Sequence, residues 1–418
     1  MRHRFLHAAD LHLGSPLKGL RGLGPETAGR FEAAPRRAFA GLVDRALAGQ
    51  VAYGVVAGDM FDGPWRDVST GVFYVAQLAR LSRAGIPAFT LRGNHDAESI
   101  VTRSLRLPDG IHEFPTGAPR TLRVPGLPVA LHGQGFATRE VTGDLAAAYP
   151  APVPGVFNIG VLHTSLDGRE GHAPYAPTTA ARLAAKGYDY WALGHVHAHE
   201  IVSTAPHVVF PGVLQGRHVG ETGAKGAVLV TVDEALRVES VERVIVDVAR
   251  FAVATIDLSG EESEEAAWAR VERALGAEVA AAGDRLLAVR VVLGGETALH
   301  ARFAADRSWL AAEVAAAAAR AGHDVHVEDV KLATRPPGRL ARPRSEPGED
   351  LVDAERLIAE ALADPETAAA LGQALKAIRL KLPATAAEDA GLATDADLAA
   401  LLREGADLAL GRLAGATP

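Results

Sequence analysis

The stretch WALGHVHAHE (191–200) places His195, His197 and His199 at alternate positions behind an apolar run. Four other apolar runs end in a similar way. RFLHAAD leads into Asp10-Leu11-His12, YGVVAGD ends on Gly58-Asp59, PAFTLRGNHD ends on Gly93-Asn94-His95-Asp96, and NIGVLHTS carries His163. Carboxylates, an amide and imidazoles therefore collect at one end of a series of strand-like segments. In layered α/β domains ligands gather outside the carboxyl ends of strands, where loops on a rigid platform hold side chains in place. Oxygen donors mixed with neutral imidazoles suit manganese, iron or zinc better than an all-oxygen magnesium or calcium site. Two such cations about 3.5–4 Å apart clamp the attacking and leaving oxygens of an in-line displacement at phosphorus. One carboxylate must then bridge them. Asp59 is the candidate, central in the series and preceded by a glycine that lets the backbone approach closely.

These residues need a platform, and the hydrophobic pattern supplies one. Up to about residue 245 short apolar strands alternate with helix-like segments near 30–49, 69–84 and 178–186, the signature of a layered α/β domain. LPVALHGQG, HVVFPGV and GAVLVTVD add strands, some of them antiparallel. From about 250, FAVATIDL, a helix over 261–281, RLLAVRVVL, a helix over 305–321 and HDVHVEDV read as a small βαβαβ unit. TRPPGRLARPRSEPGED has linker composition, and residues 350–415 are Ala/Leu-rich with helical periodicity. The expected fold is α/β: a layered β-sandwich flanked by helices over 1–248, a small α/β capping domain over 249–333, a linker over 334–350 and a helical region over 351–418. No internal repeat at a fixed period is present.

Composition narrows the chemistry. The chain holds no cysteine, so disulfides and thiolate metal sites are excluded, which fits a cytoplasmic protein. No stretch approaches the roughly 18 apolar residues needed to span a bilayer, and the opening MRHRFLHAAD lacks the apolar core of a secretory signal. A cytoplasmic protein without membrane attachment is expected. The net charge of −8 is unevenly spread, with 25 basic and 23 acidic side chains over 1–250 and the excess acid beyond. The first module carries no strong field repelling phosphates, which permits a nucleic-acid substrate without arguing for one.

DLHLG, GDMFD, GNHD, His163 and GHVH resemble, in order and spacing, the signature of the calcineurin-like metallophosphoesterases over roughly residues 3–220. Within that superfamily AADLHLGSPL and GDMFDGP look like the SbcD-type DNA-repair exonucleases, and PGVLQGRHVGETGAKGA resembles their YhaO-like branch more closely still. The resemblance implies a two-metal site, with manganese as the expected metal and iron or zinc as alternatives. Asp10, His12, Asp59 and His197 would hold one cation; Asp59, Asn94, His163 and His195 would hold the other. It implies that His95 stabilises the phosphate or protonates the leaving oxygen, oriented by Asp96. An imidazole titrates in the range such a step needs. Arg217 and His218 are expected to face phosphate. His199 has no counterpart in the motif and reads as a solvated or supporting residue. Asp62 reads as a cap of the following turn, and Lys18, Arg21, Arg36 and Arg37 as a solvated face able to meet a DNA backbone.

By the same resemblance, the capping unit narrows access to the metals, and the helical C-terminus sits where SbcD-type nucleases dock an SMC-like coiled-coil ATPase. Leu357, Ile358, Leu362, Leu371, Leu375, Ile378 and Leu382 follow helical spacing there; a self-contained bundle is the alternative. The implied function is a manganese-dependent DNA phosphodiesterase, an exonuclease with endonuclease action also open, working with that ATPase and forming a homodimer. Two other readings stand beside it. One is an enzyme of the same fold acting on nucleotides, cyclic nucleotides or phosphoproteins; the other is a non-catalytic scaffold subunit, against which every ligand position is filled.

Overall fold

The computed structural model describes residues 1–15, 20, 23–62, 68–97, 105–167, 175–337, 357, 360, 364–381, 401 and 405. The chain divides into two compact units, Met1–Ala252 with Ala282–Ala288, and Val253–Ala281 with Val289–Pro418.

The first unit is built on two six-stranded sheets. One contains β1 (His3–Ala8), β2 (Tyr53–Val56), β3 (Ala88–Thr90), β4 (Ile111–Glu113), β11 (Gly226–Val232) and β12 (Val238–Ile245), in the order β12-β11-β1-β2-β3-β4. The other contains β5 (Arg120–Arg123), β6 (Val129–Gly133), β7 (Phe157–His163), β8 (Tyr190–Gly194), β9 (Glu200–Thr204) and β10 (His207–Phe210), in the order β5-β6-β7-β8-β10-β9. The centres are parallel, β1 to β4 in one sheet and β6, β7, β8 and β10 in the other. Antiparallel strands flank them, β11 against β1 and β12 against β11, β5 against β6 and β9 against β10.

The central strands read as uninterrupted apolar runs because both faces are covered. Along β1, Phe5 joins Tyr53, Phe89, Ile159, Val161 and Tyr190 in the core between the sheets. Its neighbours Leu6 and Ala8 face the other way, toward Phe39, Leu42, Val43 and Leu78. These last belong to α2 (Ala34–Ala48) and α3 (Val68–Arg83), which follow α1 (Pro25–Glu32). On the far side of the second sheet Trp191, Leu193, Val208 and Phe210 pack with Leu183 of α5 (Ala180–Ala185). The short α4 (Asn94–Ala97) follows β3 directly. The result is helix, sheet, sheet, helix, with every parallel strand ending on the same side.

Periodicity located the long elements and missed the marginal ones. β4, β5, β9 and β12 carry no clear periodic signal; β5, β9 and β12 are largely solvent-facing strands whose apolar content is too low to stand out. The helix-like segment near 30–49 corresponds to α2, whereas α1 lies mostly ahead of it and is set off only at Ala33, which keeps right-handed helical dihedrals.

The strands β13 (Ala249–Asp257), β14 (Leu286–Glu296) and β15 (Val325–Arg335) form a three-stranded sheet in that order. α6 (Glu264–Ala282) joins the first two, and α7 (His300–Ala305) and α8 (Arg307–Ala321) join the last two. Within the second unit Trp268, Phe303 and Trp309 form an aromatic cluster, with the Arg302 guanidinium 3.8 Å above the Trp309 ring. β15 continues through Thr334 and Arg335, two residues into the segment expected as linker. In the C-terminal region α9 (Pro365–Arg379) starts at Asp364, whose carboxylate accepts the Thr367 N–H at 2.8 Å. Of the apolar row expected there, Leu357 and Ile378 are exposed; Ile358, Leu362 and Leu382 and the side chains of Leu371 and Leu375 lie outside the described residues.

Candidate metal centre

The loops after β1 and β2 run side by side beyond the sheet. The N–H groups of Asp10, His12 and Leu13 donate to the carbonyls of Gly58, Asp59 and Met60 at 3.0, 3.0 and 2.9 Å. This continued pairing holds the first two motifs against each other. It also bends the backbone: Asp10, His12, Asp59 and His195 have φ of +52°, +43°, +53° and +96°. For residues other than glycine, such conformations cost about 1–3 kcal/mol each and cluster where function requires them. Gly58 itself sits at φ +95°, and a Cβ there would overlap His163 Nδ1; one at Gly93 would overlap the Asp59 carboxylate. Both glycines therefore permit the close approach that brings three strand ends to one point.

The candidate ligands are removed from water. Asp10, His12 and His163 are fully buried, Asp59, Asn94 and His195 nearly so, and the His197 side chain is 20% exposed. Their ligand atoms fall into two groups, Asp10 with His12 and His197, and Asp59 with His163 and His195, each lying within 4.8 Å. Asn94 Oδ1 lies 2.9 Å from His163 Nε2. Asp59 stands between the groups. Its Oδ1 accepts the His95 N–H at 3.0 Å, while Oδ2 lies 3.9 Å from His12 Nε2 and 3.4 Å from His163 Nε2.

The donor set fits cations. His163 Nδ1 donates to the Ala57 carbonyl at 2.9 Å, which leaves its Nε2 lone pair facing the oxygens of Asn94 and Asp59. His12 Nε2 and His197 Nε2 face each other at 3.2 Å. Protons close these contacts in the metal-free chain, and once deprotonated the same nitrogens and oxygens offer converging lone pairs to a cation. Burial opposes a charge on His163, yet Asp59 and Asp10 raise its pKa to about 9. Burial raises the pKa of Asp10, whereas Asp59 is held well below the carboxylate range by His163, His12 and His95 despite its burial.

His95 is the most accessible member of the cluster, its side chain 29% exposed. Its partner differs from the one expected. Asp96 turns away and accepts the N–H groups of Met60, Phe61 and Gly93 at 3.2, 3.0 and 3.0 Å, fixing the turn that carries Asn94 and His95. The carboxylate that meets His95 Nδ1, at 2.8 Å, is Asp62. Asp62 also accepts the Ser15 hydroxyl at 2.7 Å and lies 3.6 Å from His12 Nδ1. It is a hub of the site and more than a turn cap. Burial opposes a charge on His95, but the hydrogen bond to Asp62 and the charge of Asp59 raise its pKa.

Glu221 has no signal in the strand-end pattern, yet it is buried and accepts His197 Nδ1–H at 2.6 Å. That bond orients the ring and turns Nε2 toward Asp10 and His12. Arg217 closes the arrangement, donating to Glu221 from Nη2 at 3.0 Å and from its own N–H at 2.8 Å. His218 turns back on its loop, Nδ1 accepting the Gly220 N–H at 3.1 Å and Nε2 3.5 Å from Glu221. His199 is half-buried and donates to the Phe210 carbonyl at 3.1 Å. Arg36 ties α2 to α3 through the Ser69 and Thr70 hydroxyls, Arg37 is exposed, and Lys18 and Arg21 lie outside the described residues.

Strand-end Asp, Asn and His residues grouped in this way over a two-sheet core define a calcineurin-like metallophosphoesterase domain, and residues 3–199 of the chain match the calcineurin-like phosphoesterase family. Hydrolase chemistry with divalent metal ions belongs to that class. Residues 251–335 match the middle domain of metallophosphoesterase YhaO. The chain is similar to the uncharacterized metallophosphoesterase YhaO of Bacillus subtilis, 36% identical over 54% of this chain and 57% of the relative. It is also similar to the DNA double-strand break repair protein Mre11 of Aeropyrum pernix (28% identical, 54% and 57% covered) and of Methanopyrus kandleri (28% identical, 65% and 62% covered). The chain thus spans 57–62% of the length of these relatives.

Glu221 yields the first expected outcome. Partners of metal-binding imidazoles typically contribute about 10–100-fold to metal affinity. Glu221→Gln should weaken manganese binding by that order in a calorimetric titration of the full chain. Unchanged affinity would mean that Glu221 does not orient a ligand.

Proposed function

We propose that the chain is a DNA phosphodiesterase with two divalent cations, manganese first among them, cleaving as an exonuclease and, in a second mode, as an endonuclease. The observation that carries this reading is the position of Asp59 Oδ2, within 4 Å of both His12 Nε2 and His163 Nε2. One oxygen so placed suits a ligand shared by two ions. Asp10, His12 and His197 would hold one ion with Asp59; Asn94, His163 and His195 would hold the other with it. When bound, the cations supply Lewis-acid activation of the phosphate and of the attacking water.

The remaining steps belong to the chain. His95 donates Nδ1–H to Asp62, so its tautomer and orientation are set and Nε2 is the nitrogen available to substrate. Asp62 favours the protonated imidazole, which can hand its proton to the departing oxygen of the sugar. Asp96 supports this through the backbone of the Gly93–Ala97 turn. Similarity to proteins named for DNA double-strand break repair favours DNA as the diester; an SMC-like ATPase as partner, a homodimer as assembly and the cytoplasm as location complete the proposal. Among the described residues no helix is long and apolar enough to cross a membrane.

Incubating the manganese-loaded chain with end-labelled single- and double-stranded DNA and with bis-nitrophenyl phosphate tests the reading. Cleavage of DNA is expected. Cleavage of the small ester alone would favour an enzyme of nucleotides or phosphoproteins, and cleavage of neither, with the ATPase present, a scaffold.

The C-terminal region is expected to serve the partner. A chain ending after Arg335 keeps β15 whole and retains every candidate ligand. It should fold, bind metal and hydrolyse bis-nitrophenyl phosphate at near the full-length rate, while no longer co-purifying with the ATPase. Short amphipathic helices beyond a proline-rich linker need another surface to cover their apolar faces. Full-strength ATPase binding by the shortened chain, or its aggregation, would refute the docking role.

A further inference from the structure

The segment Gln215–Glu221 does two things at once. Glu221 reaches the metal-facing His197, and Arg217 projects from the same loop toward the surroundings of His95. The Arg217 side chain is only 13% exposed. Its Nη2 is spent on Glu221. Nη1 stands 3.8 Å from Asp62 Oδ2, beyond hydrogen-bond reach, and Nε is buried without a partner among the described residues. Nη1 thus has N–H donors to spare, while Nε is sealed from solvent. A largely buried cation left with unmade hydrogen bonds is costly, and a guanidinium N–H donates strongly to a single phosphate oxygen.

The neighbours decide which ligand this geometry suits. Asp62 is shared between Arg217 and the His95 imidazole, so the guanidinium lies on the side of the site where the accessible imidazole stands. Glu221 takes the Nη2 donor and offsets one positive charge, and it also accepts the His197 Nδ1–H. With the carboxylates of the cluster engaged by cations, the Arg217 Nη1 donors would be left for an anionic oxygen.

We infer that Arg217 binds a non-bridging oxygen of the phosphate group acted on, making the Gln215–Glu221 loop a substrate-phosphate clamp built onto the metal centre. This deepens the phosphodiesterase reading and rests on it for the identity of the phosphate. The same chemistry serves the bound diester and the phosphate released.

The test uses the full chain loaded with manganese and inorganic phosphate as probe. Phosphate affinity is measured by calorimetry, and metal content by elemental analysis, for the unsubstituted chain, Arg217→Ala and Arg217→Lys. A charge-assisted hydrogen bond corresponds to roughly 10–100-fold in affinity. Arg217→Ala should weaken phosphate by that factor with metal content unchanged, and Arg217→Lys should recover part of the loss. Unchanged phosphate affinity in Arg217→Ala overturns the inference. So does a loss of metal that accounts for the loss of phosphate, since Arg217 would then act only through Glu221 and His197. Absence of phosphate binding by the unsubstituted chain overturns it as well. If the unsubstituted chain hydrolyses no diester while Arg217 still governs phosphate affinity, the phosphodiesterase reading falls and the clamp stands.

Discussion

Replacing Asp59 by alanine should abolish phosphodiester hydrolysis and remove most of the bound metal. The carboxylate touches both halves of the cluster: Oδ2 faces His12 and His163, and Oδ1 accepts the His95 N–H. Without it, two dications would repel each other across a site with two fewer ligand contacts. The turn that presents His95 would also lose an anchor. Elemental analysis of the purified variant, beside a thermal melt to verify folding, reads the outcome directly. Asp59→Asn keeps the volume and removes the charge, so it should lose metal too if charge is what holds the ions. Metal content equal to that of the unsubstituted chain in both variants would refute the shared-ligand role.

His95→Ala should leave metal content and DNA binding intact while lowering turnover by about 10²–10⁴-fold, the usual contribution of a positioned general acid. The loss should be smaller for bis-nitrophenyl phosphate, whose leaving group departs without a proton. Equal losses on both substrates would point to phosphate stabilisation in place of proton transfer, and loss of metal would make His95 a ligand. The Asp62 contact adds a pH signature. Asp62 favours the imidazolium and helps raise the His95 pKa, so activity should fall as pH rises through that value. Asp62→Asn removes the favourable charge and lowers the pKa, and the alkaline limb should move to lower pH. A limb that stays in place would separate Asp62 from proton delivery.

Much of this site is legible along the chain. β1, β2, β3, β7 and β8 are buried on both faces, so they appear as continuous apolar runs, and a polar residue at the end of such a run stands out. Parallel strands in one layered domain place those ends on one side, so listing them nearly lists the ligands. Spacing also misleads. His195, His197 and His199 alternate as if on a strand face, but β8 stops at Gly194; the chain then turns, and His199 is left on the Phe210 carbonyl.

Tertiary structure alone decided the partners of the ligands. Asp96 follows His95 directly, yet on a helical turn adjacent side chains diverge, and its carboxylate is drawn to three backbone N–H groups. Asp62 reaches His95 because the loop after β2 folds across the turn after β3. Glu221 reaches His197 only because β10 and the loop after it return the chain to the site. The left-handed backbone at Asp10, His12, Asp59 and His195 likewise leaves no mark in residue type. Hydrophobic burial repeats with the local period of a strand and can be read one segment at a time. A hydrogen bond between side chains far apart in sequence depends on where folded loops cross, and no local pattern encodes that crossing.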